Sequence, residues 1–379
     1  MAKDSLRVLV LGGYGFFGRI IAEKLARAPG VDLLVAGRNL DKATALAYQL
    51  GLHAESARRI DATDPKLAAQ LRKLGIQVVI HTVGPFQGQQ YAVASAAIQA
   101  QSHYLDLADG RAFVTGIGTL DTAARSAGVC VLSGVSSLPA LSSAVIDQHL
   151  AHFKRLDSIA IGISSGAKLP GIATMRAVLS YCGKPFRVWD NGAWKEAHGW
   201  LDRRTFAFPK PVGPRLLGRC DVPDLALLPQ RYPSAKTVSF HAGFASDTGQ
   251  KLIEWLARQV RSGRMKSAVP HAAILHRVAV WLESFLPDRG GMFVRMSGID
   301  DDDRTRTLTW QILAYDNHGP NIPCGPAIAL TRKIARGQVP EPGARPCMGE
   351  LTVKEILEPL QGLSLREFAP AVPTYVSGI

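Results

Sequence analysis

The residues best placed to do chemistry lie close to the start of the chain. Gly13, Tyr14, Gly15, Phe16, Phe17 and Gly18 spell GxGxxG, with Gly12 just before them. The run follows the apolar stretch Leu6–Leu11 and opens a helical pattern in which Ile20, Ile21 and Leu25 recur on one face. In that setting glycine permits a tight strand-to-helix turn and lets backbone N–H groups approach a pyrophosphate. The helix N-terminus adds partial positive charge. These six residues are therefore the expected dinucleotide loop. An NAD site usually ends its second strand with an acid about 20 residues further on, to bind the ribose 2′-hydroxyl. That place here reads Val35-Ala36-Gly37-Arg38-Asn39 and offers no carboxylate. The planar donor fork of Arg38 suits a 2′-phosphate instead. Arg38 and Asn39, with Lys42 one helical turn on, point to NADP(H) as the cofactor.

Thr82, Gly84 and Pro85 follow the fourth strand pattern, at the carboxyl edge where open parallel sheets bind ligands. They are expected beside the nicotinamide ribose, with His81 reading as a core histidine. Hydride transfer needs placement above all, and reduction of C=O or C=N also needs a proton source or an electrostatic stabiliser. Tyr104 and Asp106 alternate on one face of the fifth strand, so they are the catalytic candidates, set to meet a substrate amine or a cofactor ribose. Asp109 reads as the cap of the next helix, and Asp41 as the cap of the second. The sequence shows no hydrolytic triad, HExxH or metal-ligand spacing, so no metal is expected.

Repeated strand–helix units through the first 135 residues position these groups. Strand patterns run at Leu6–Leu11, Val31–Ala36, near Asp61, Val78–Thr82, His103–Leu107 and Val129–Ser133. Units of this kind build a Rossmann, doubly wound parallel sheet. From about Asp157 the strands grow longer, more polar and turn-linked, with Asp190-Asn191-Gly192 a hairpin signal. The expected fold class is α/β: a Rossmann sheet plus a second α+β domain with a mixed, mainly antiparallel sheet. The boundaries read as 1–135 for the cofactor domain and 136–319 for substrate and dimerisation. Residues 320–379 are expected to pack back onto the first domain.

With 379 residues, 47% hydrophobic and 20% charged, the chain suits two globular domains. Its net charge of +13 raises the question of an acidic partner. The excess is local: residues 151–270 carry 19 basic and 8 acidic groups, and residues 1–150 carry 14 and 11. Arg203, Arg204, Lys210, Arg215 and Arg219 stand near Trp189, Trp194 and Trp200, yet no nucleic-acid motif is present, so nucleic acid is excluded as a partner. Trp255 and Trp281 lie on apolar helical patterns that read as core or dimer helices, with peripheral membrane contact the other reading. Five scattered cysteines and an N-terminus without signal-peptide character point to reduced thiols and a cytoplasmic protein.

The run Gly12–Gly18, the segment His81-Thr82-Val83-Gly84-Pro85-Phe86-Gln87-Gly88 and the segment Tyr104-Leu105-Asp106-Leu107-Ala108-Asp109-Gly110 resemble the saccharopine dehydrogenase-like oxidoreductases. Ser136–Ser142 and Gly343–Cys347 are similar to segments of bacterial members. The resemblance covers the first 150 residues best. It implies an NADP(H)-binding Rossmann domain, an α/β substrate domain and a homodimer formed through the second domain. Members include saccharopine reductases that act at a C–N bond, trans-acting enoyl reductases of lipid synthesis, and proteins associated with membranes or lipid droplets. The expected activity is hydride transfer to or from a C=N, C=O or activated C=C group of a small-molecule or lipid-linked substrate. The alternative is an NADP(H)-binding scaffold or membrane-associated interaction protein without turnover.

Overall fold

A computed structural model describes residues 5–166, 171–282 and 285–368. The chain divides into two compact units. One ends at Leu141 and regains Asn321–Leu360; the other takes Ser142–Pro320 and the chain from Gln361.

The first unit alternates β1 (Leu6–Leu11), α1 (Phe16–Leu25), β2 (Val31–Gly37), α2 (Leu40–Gln49), β3 (Ala57–Arg59), α3 (Leu67–Lys73), β4 (Val78–His81), α4 (Ala92–Gln99), β5 (His103–Asp106), α5 (Arg111–Gly116), α6 (Asp121–Ser126) and β6 (Cys130–Ser133). The central strands are short apolar runs because a parallel sheet is covered on both faces. Val8, Leu9 and Val10, like Val78, Val79 and Ile80, are completely buried. Leu9, Leu11, Leu34, Val79, Tyr104 and Val131 join one core with Leu67, Leu71 and the small face of α4. The helical pattern at Ala112–Ala127 resolves into α5 and α6 with a 3-10 turn between them. Asn39, not Asp41, caps α2, accepting from the Lys42 N–H at 2.9 Å.

The second unit holds α7 (Ser142–His149), β7 (Arg155–Ser164), α8 (Ile172–Ser180), β8 (Pro185–Asp190), β9 (Ala193–His198), β10 (Arg204–Ala207), β11 (Pro214–Arg219), α9 (Asp224–Arg231), β12 (Thr237–Gly243), α10 (Asp247–Arg261), α11 (Ala272–Leu282), β13 (Gly290–Ile299) and β14 (Thr305–Ala314). The Asp-Asn-Gly signal is a real hairpin. Asn191 and Gly192 take φ of 53° and 75°, which lets β8 and β9 pair tightly. One nine-stranded sheet runs β10-β11-β12-β7-β13-β14 and onward, with β8 and β9 branching from β12. All its pairings are antiparallel except β12 with β7.

The chain then supplies α12 (Gly325–Ala335), β15 (Gly343–Pro346), α13 (Val353–Leu357) and β16 (Leu365–Phe368). β15 extends the first sheet, whose order is β15-β6-β5-β4-β1-β2-β3, all parallel. β16 instead pairs antiparallel with β14, so residues 365–368 belong to the second sheet and depart from the expected return of 320–379. The edge of β14 offers a free ladder there, and Trp310 Nε1 donates to the Glu367 carboxylate at 2.6 Å. Residues 369–379, part of the same expectation, lie outside the described residues.

Candidate dinucleotide site

β1 sits between β4 and β2, so the strand order turns back at the β1/β4 boundary. The crevice beyond the carboxyl ends of two such strands is where open α/β sheets bind ligands. The glycine loop occupies that end of β1, and each glycine has a local reason. Gly12 has φ +86°, and a Cβ there would stand 2.7 Å from Thr82 Oγ1. A Cβ on Gly13 would meet Val35 Cγ1 at 2.6 Å; one on Gly15 would meet the Gly12 carbonyl at 2.9 Å. A Cβ on Gly18 would lie 2.8 Å from Thr82 Oγ1 and against the Gly12 carbonyl. The turn is held by N–H bonds from Gly12 and Gly13 to the Ala36 carbonyl, at 2.8 and 3.0 Å.

α1 begins with Gly15 at its N-cap, no side-chain cap and no acidic residue in its first turn. Its first-turn N–H groups and the helix dipole face that end without a built-in anion. α2, by contrast, has both the Asn39 cap and Asp41 in its first turn. Of α1 and α2, the helices that follow β1 and β2, α1 is thus the one set up for a phosphate.

Tyr14 and Asn39 join the loop to the end of β2. The Tyr14 hydroxyl accepts from the Asn39 backbone N–H at 2.9 Å, and its ring lies where a Cβ on Gly37 would be, 2.5 to 2.7 Å away. The Asn39 side chain is spent on its helix cap, so its role is to shape the turn that carries Arg38. Arg38 itself is exposed and makes no hydrogen bond among the described residues. Arg59 ends β3 opposite Gly37 and is also exposed. Asp61 is held below the usual carboxylate range, first by the Thr63 N–H and hydroxyl and then by the charges of Arg38 and Arg59. The two arginines therefore stand at one corner. Arg59 was not foreseen as a site residue; the basic pair Arg58-Arg59 before Asp61 was the available signal.

At the other side of the crevice, Thr82 donates its hydroxyl to the Leu11 carbonyl at 2.9 Å, tying β4 to β1. The Gly84–Pro85 bond is cis. The Gln89 side-chain amide donates to the carbonyls of Val83 and Pro85 at 2.8 and 2.6 Å, fixing the Gly84–Pro85 turn. Gln89 too went unremarked in the sequence.

Tyr104 and Asp106, expected to touch substrate or ribose, are both 0% exposed. Asp106 Oδ1 accepts from the N–H groups of Ala108 and Gly134 at 2.9 and 2.8 Å, and from the Ser133 hydroxyl at 3.0 Å. It clamps the turns after β5 and β6 together. Burial raises its carboxyl to about 6, against the donors that favour its charge. Tyr104 is pushed well above its ordinary value by the same burial, and its hydroxyl lies 2.9 Å from His81 Nδ1. Burial drives His81 down to about 3, so it is neutral. This buried trio lies directly behind the edge and positions it. Asp109 is not the expected cap: Gly110 precedes α5, and the Asp109 carboxylate accepts from Gln87 Nε2 at 3.1 Å. Among the described residues no His, Cys, Asp and Glu cluster could hold a metal, and the five cysteines are buried free thiols.

Residues 8–132 match the family model described as saccharopine dehydrogenase NADP binding domain. This segment belongs to that family. The saccharopine dehydrogenase NADP-binding domain here covers β1 to β6, so the loop, Arg38 and the Thr82–Pro85 turn all lie within it. The fold of the chain is similar to that of the apo histidine-tagged saccharopine dehydrogenase (L-Glu forming) of Saccharomyces cerevisiae. That match has a TM-score of 0.64 at 16% identity and covers 97% of this chain and 100% of that one. A Mycobacterium tuberculosis (H37Rv) protein carrying the provisional name trans-acting enoyl reductase Rv2449c is 29% identical over 185 residues, 46% of this chain and 44% of the relative. Its counterpart MT2525 in strain CDC 1551 matches equally. The chain thus spans less than half the length of these curated relatives. Its first unit is a Rossmann sheet that matches an NADP-binding domain family.

Proposed function

We propose that the protein is an NADP(H)-dependent oxidoreductase that moves hydride to or from a C=N, C=O or activated C=C group of a small or lipid-linked substrate. The observation that carries the cofactor choice is exposed Arg38, unbonded at the end of a strand that lacks a terminal acid. The residues present fit the cofactor: a crowded glycine turn excludes side chains beside an uncapped helix N-terminus. The first turn of α1 would hold the pyrophosphate, and Arg38 with Arg59 the 2′-phosphate. The bound dinucleotide supplies the hydride. Thr82, Gly84 and Pro85 border the far end of the crevice, and Gln89 and the Asp106 clamp keep that border rigid. The relatives' name favours the enoyl arm of the substrate range. An NADPH-oxidation screen over keto acids with amines, and over enoyl thioesters, tests the reading. Turnover on one class supports it. Tight NADPH binding with silence on both would leave the scaffold alternative.

We also propose peripheral contact with an anionic membrane, because one observation favours it. Ile274, Val278 and Trp281 follow each other at helical spacing on α11, 57%, 50% and 70% exposed, and Phe285 continues the series at 76%. From Trp255 to Leu282 there is no Asp or Glu, while Arg258, Arg261, Arg264, Lys266 and Arg277 are all exposed. Interleaved aromatics, aliphatics and cations suit a lipid headgroup boundary better than the charge-depleted centre of a protein interface. No helix among the described residues is long and apolar enough to cross a membrane.

A further inference from the structure

Alternate residues of a strand share a face, and paired residues of neighbouring strands do too. In the second sheet this aligns residues far apart in sequence. Arg219 pairs with His241, His241 with Gly162, and Gly162 with Phe293. One step along, Gly243 pairs with Ser164 and Ser164 with Gly291. A Cβ on Gly162 would touch the Phe293 ring and come within 3.1 Å of Leu217, so Leu217 shares that face. So does Arg215, two residues before it. α7 and α9 pack on β13 and β12, where Val238, Phe240, Met292 and Val294 form the opposite, buried face. The face in question carries instead Ser297, Thr307 and Thr309, all half-buried, and exposed Arg295. Toward Arg295 this face meets solvent, and toward Leu217 and Phe293 it is covered by Phe206 and Phe208.

At one end of that face three buried polar atoms lack a hydrogen bond among the described residues. Ser164 is 2% exposed, and its hydroxyl has no hydrogen-bond partner among the described residues. The same holds for Nε of Arg215 and Nε of Arg289, both buried atoms. Arg289 immediately precedes β13, and a Cβ on Gly166, two residues past Ser164, would lie 3.3 Å from its backbone nitrogen. Arg215 is held below its ordinary value by burial and by the charge of Arg289, with Asp247 opposing. The other acid at hand, Asp288, lies 3.4 Å from Arg289 Nε. Beside these groups is a cluster of buried rings. Phe206 and Phe293 stack with centroids 3.6 Å apart, and Phe208 comes within 3.0 Å of the Cβ position of Gly291.

An unpaired buried hydroxyl near the buried Nε atoms of two arginines is costly unless something accepts from all three. The several oxygens of a carboxylate or phosphate can do so, with charge matched to the two arginines. We propose that Arg215, Arg289 and Ser164 form an oxyanion site that takes the carboxylate or phosphate of an acidic ligand. The site stands on the geometry of the second unit alone; that its ligand is the substrate rests on the oxidoreductase reading above. It also gives the basic middle of the chain a specific use, since the acidic group of a ligand is drawn toward a field of its own counter-charge.

Titration calorimetry on the full chain with phenylacetate and phenyl phosphate, and with acetate and inorganic phosphate as headgroup-only arms, tests this. At least one aromatic anion should bind in the millimolar range or tighter. The tighter of the two names the oxyanion. Arg215→Gln and Arg289→Gln should each weaken it about tenfold, and Ser164→Ala several-fold, with NADPH affinity unchanged. Ser164→Ala removes one buried oxygen, and a matching melting temperature shows that it folds, so it decides the matter even if an arginine variant does not fold. Neither anion binding at about 10 mM, or binding equal in Ser164→Ala and both arginine variants, would overturn the site. NADPH turnover is read separately. Anion binding without turnover on any substrate class supports the site while counting against the oxidoreductase reading.

Discussion

The Tyr14 hydroxyl accepts the backbone N–H of Asn39 at 2.9 Å, and so fastens the glycine loop to the turn that bears Arg38. The bond links the two places proposed to recognise the cofactor, the pyrophosphate end and the 2′-phosphate end. Tyr14→Phe deletes it and keeps the ring over Gly37. One hydrogen bond contributes about 1 kcal/mol, so NADPH affinity should fall roughly fivefold. NADH, which lacks the 2′-phosphate, should lose less. Fluorescence titration of both cofactors checks this, and equal losses would show that the bond does not act through Arg38.

Gly18 has no room for a side chain, with Thr82 Oγ1 and the Gly12 carbonyl both against its Cβ position. Gly18→Ala must push α1 away from β4. Overpacking of this kind costs about 1–3 kcal/mol. A lowered melting temperature and lost NADPH binding are expected together, measured by thermal denaturation with and without cofactor. A variant that melts and binds like the wild type would mean the loop is looser than described.

Asp106 and His81 pull stability in opposite directions with pH. Burial raises Asp106 from 3.8 to about 6, so the folded protein holds a proton that the unfolded chain has lost between those values. Its contribution is present below about 4 and is lost as pH rises through about 6. His81 is depressed from 6.5 to about 3. Its contribution is present above 6.5 and is lost as pH falls toward 3. Asp106→Asn removes the first effect and keeps the second. Denaturant unfolding from pH 4 to 7 should show the variant gaining on wild type as pH rises, by up to about 3 kcal/mol. Parallel stability curves would contradict a buried, ionisable Asp106.

The exposed face of α11 gives a lipid prediction. Trp281→Asp with Val278→Asp should abolish sedimentation with vesicles of phosphatidylcholine and phosphatidylglycerol, and leave NADPH binding intact. Wild type should sediment with these vesicles and much less with phosphatidylcholine alone. Equal sedimentation of wild type and variant would contradict lipid contact. So would a concentration-dependent wild-type dimer that the same changes dissociate, since the face would then be a protein interface.

Much of the first unit was legible because its signals are local. The glycine loop, the missing acid after Val35-Ala36-Gly37 and the strand–helix alternation are each readable within a few residues. The hairpin at Asn191-Gly192 was visible for the same reason. What escaped depends on contacts between distant segments. β15 is only four residues long and joins β6 from more than 200 residues away, so nothing local marks Gly343–Pro346 as a strand. β16 was misplaced because a short polar strand carries no sign of which sheet edge it completes. Asp106 looked like a site residue because strand alternation does not reveal depth. Its burial is set by β6, and the Gly134 N–H that binds it lies 28 residues on. The grouping of Arg215, Ser164 and Arg289 is likewise a product of register across β11, β12, β7 and β13.

The central claim is that Arg38 reads the 2′-phosphate. Arg38 is exposed, so its replacement leaves the core untouched. The most direct measurement is the dissociation constant of NADPH and of NADH for wild type and Arg38→Ala. A charge-assisted contact to phosphate is worth about 1.5–3 kcal/mol. NADPH affinity should therefore fall by roughly 10- to 100-fold while that of NADH stays within about twofold. Wild type binding NADH as tightly as NADPH, or Arg38→Ala weakening both cofactors equally, would contradict the account.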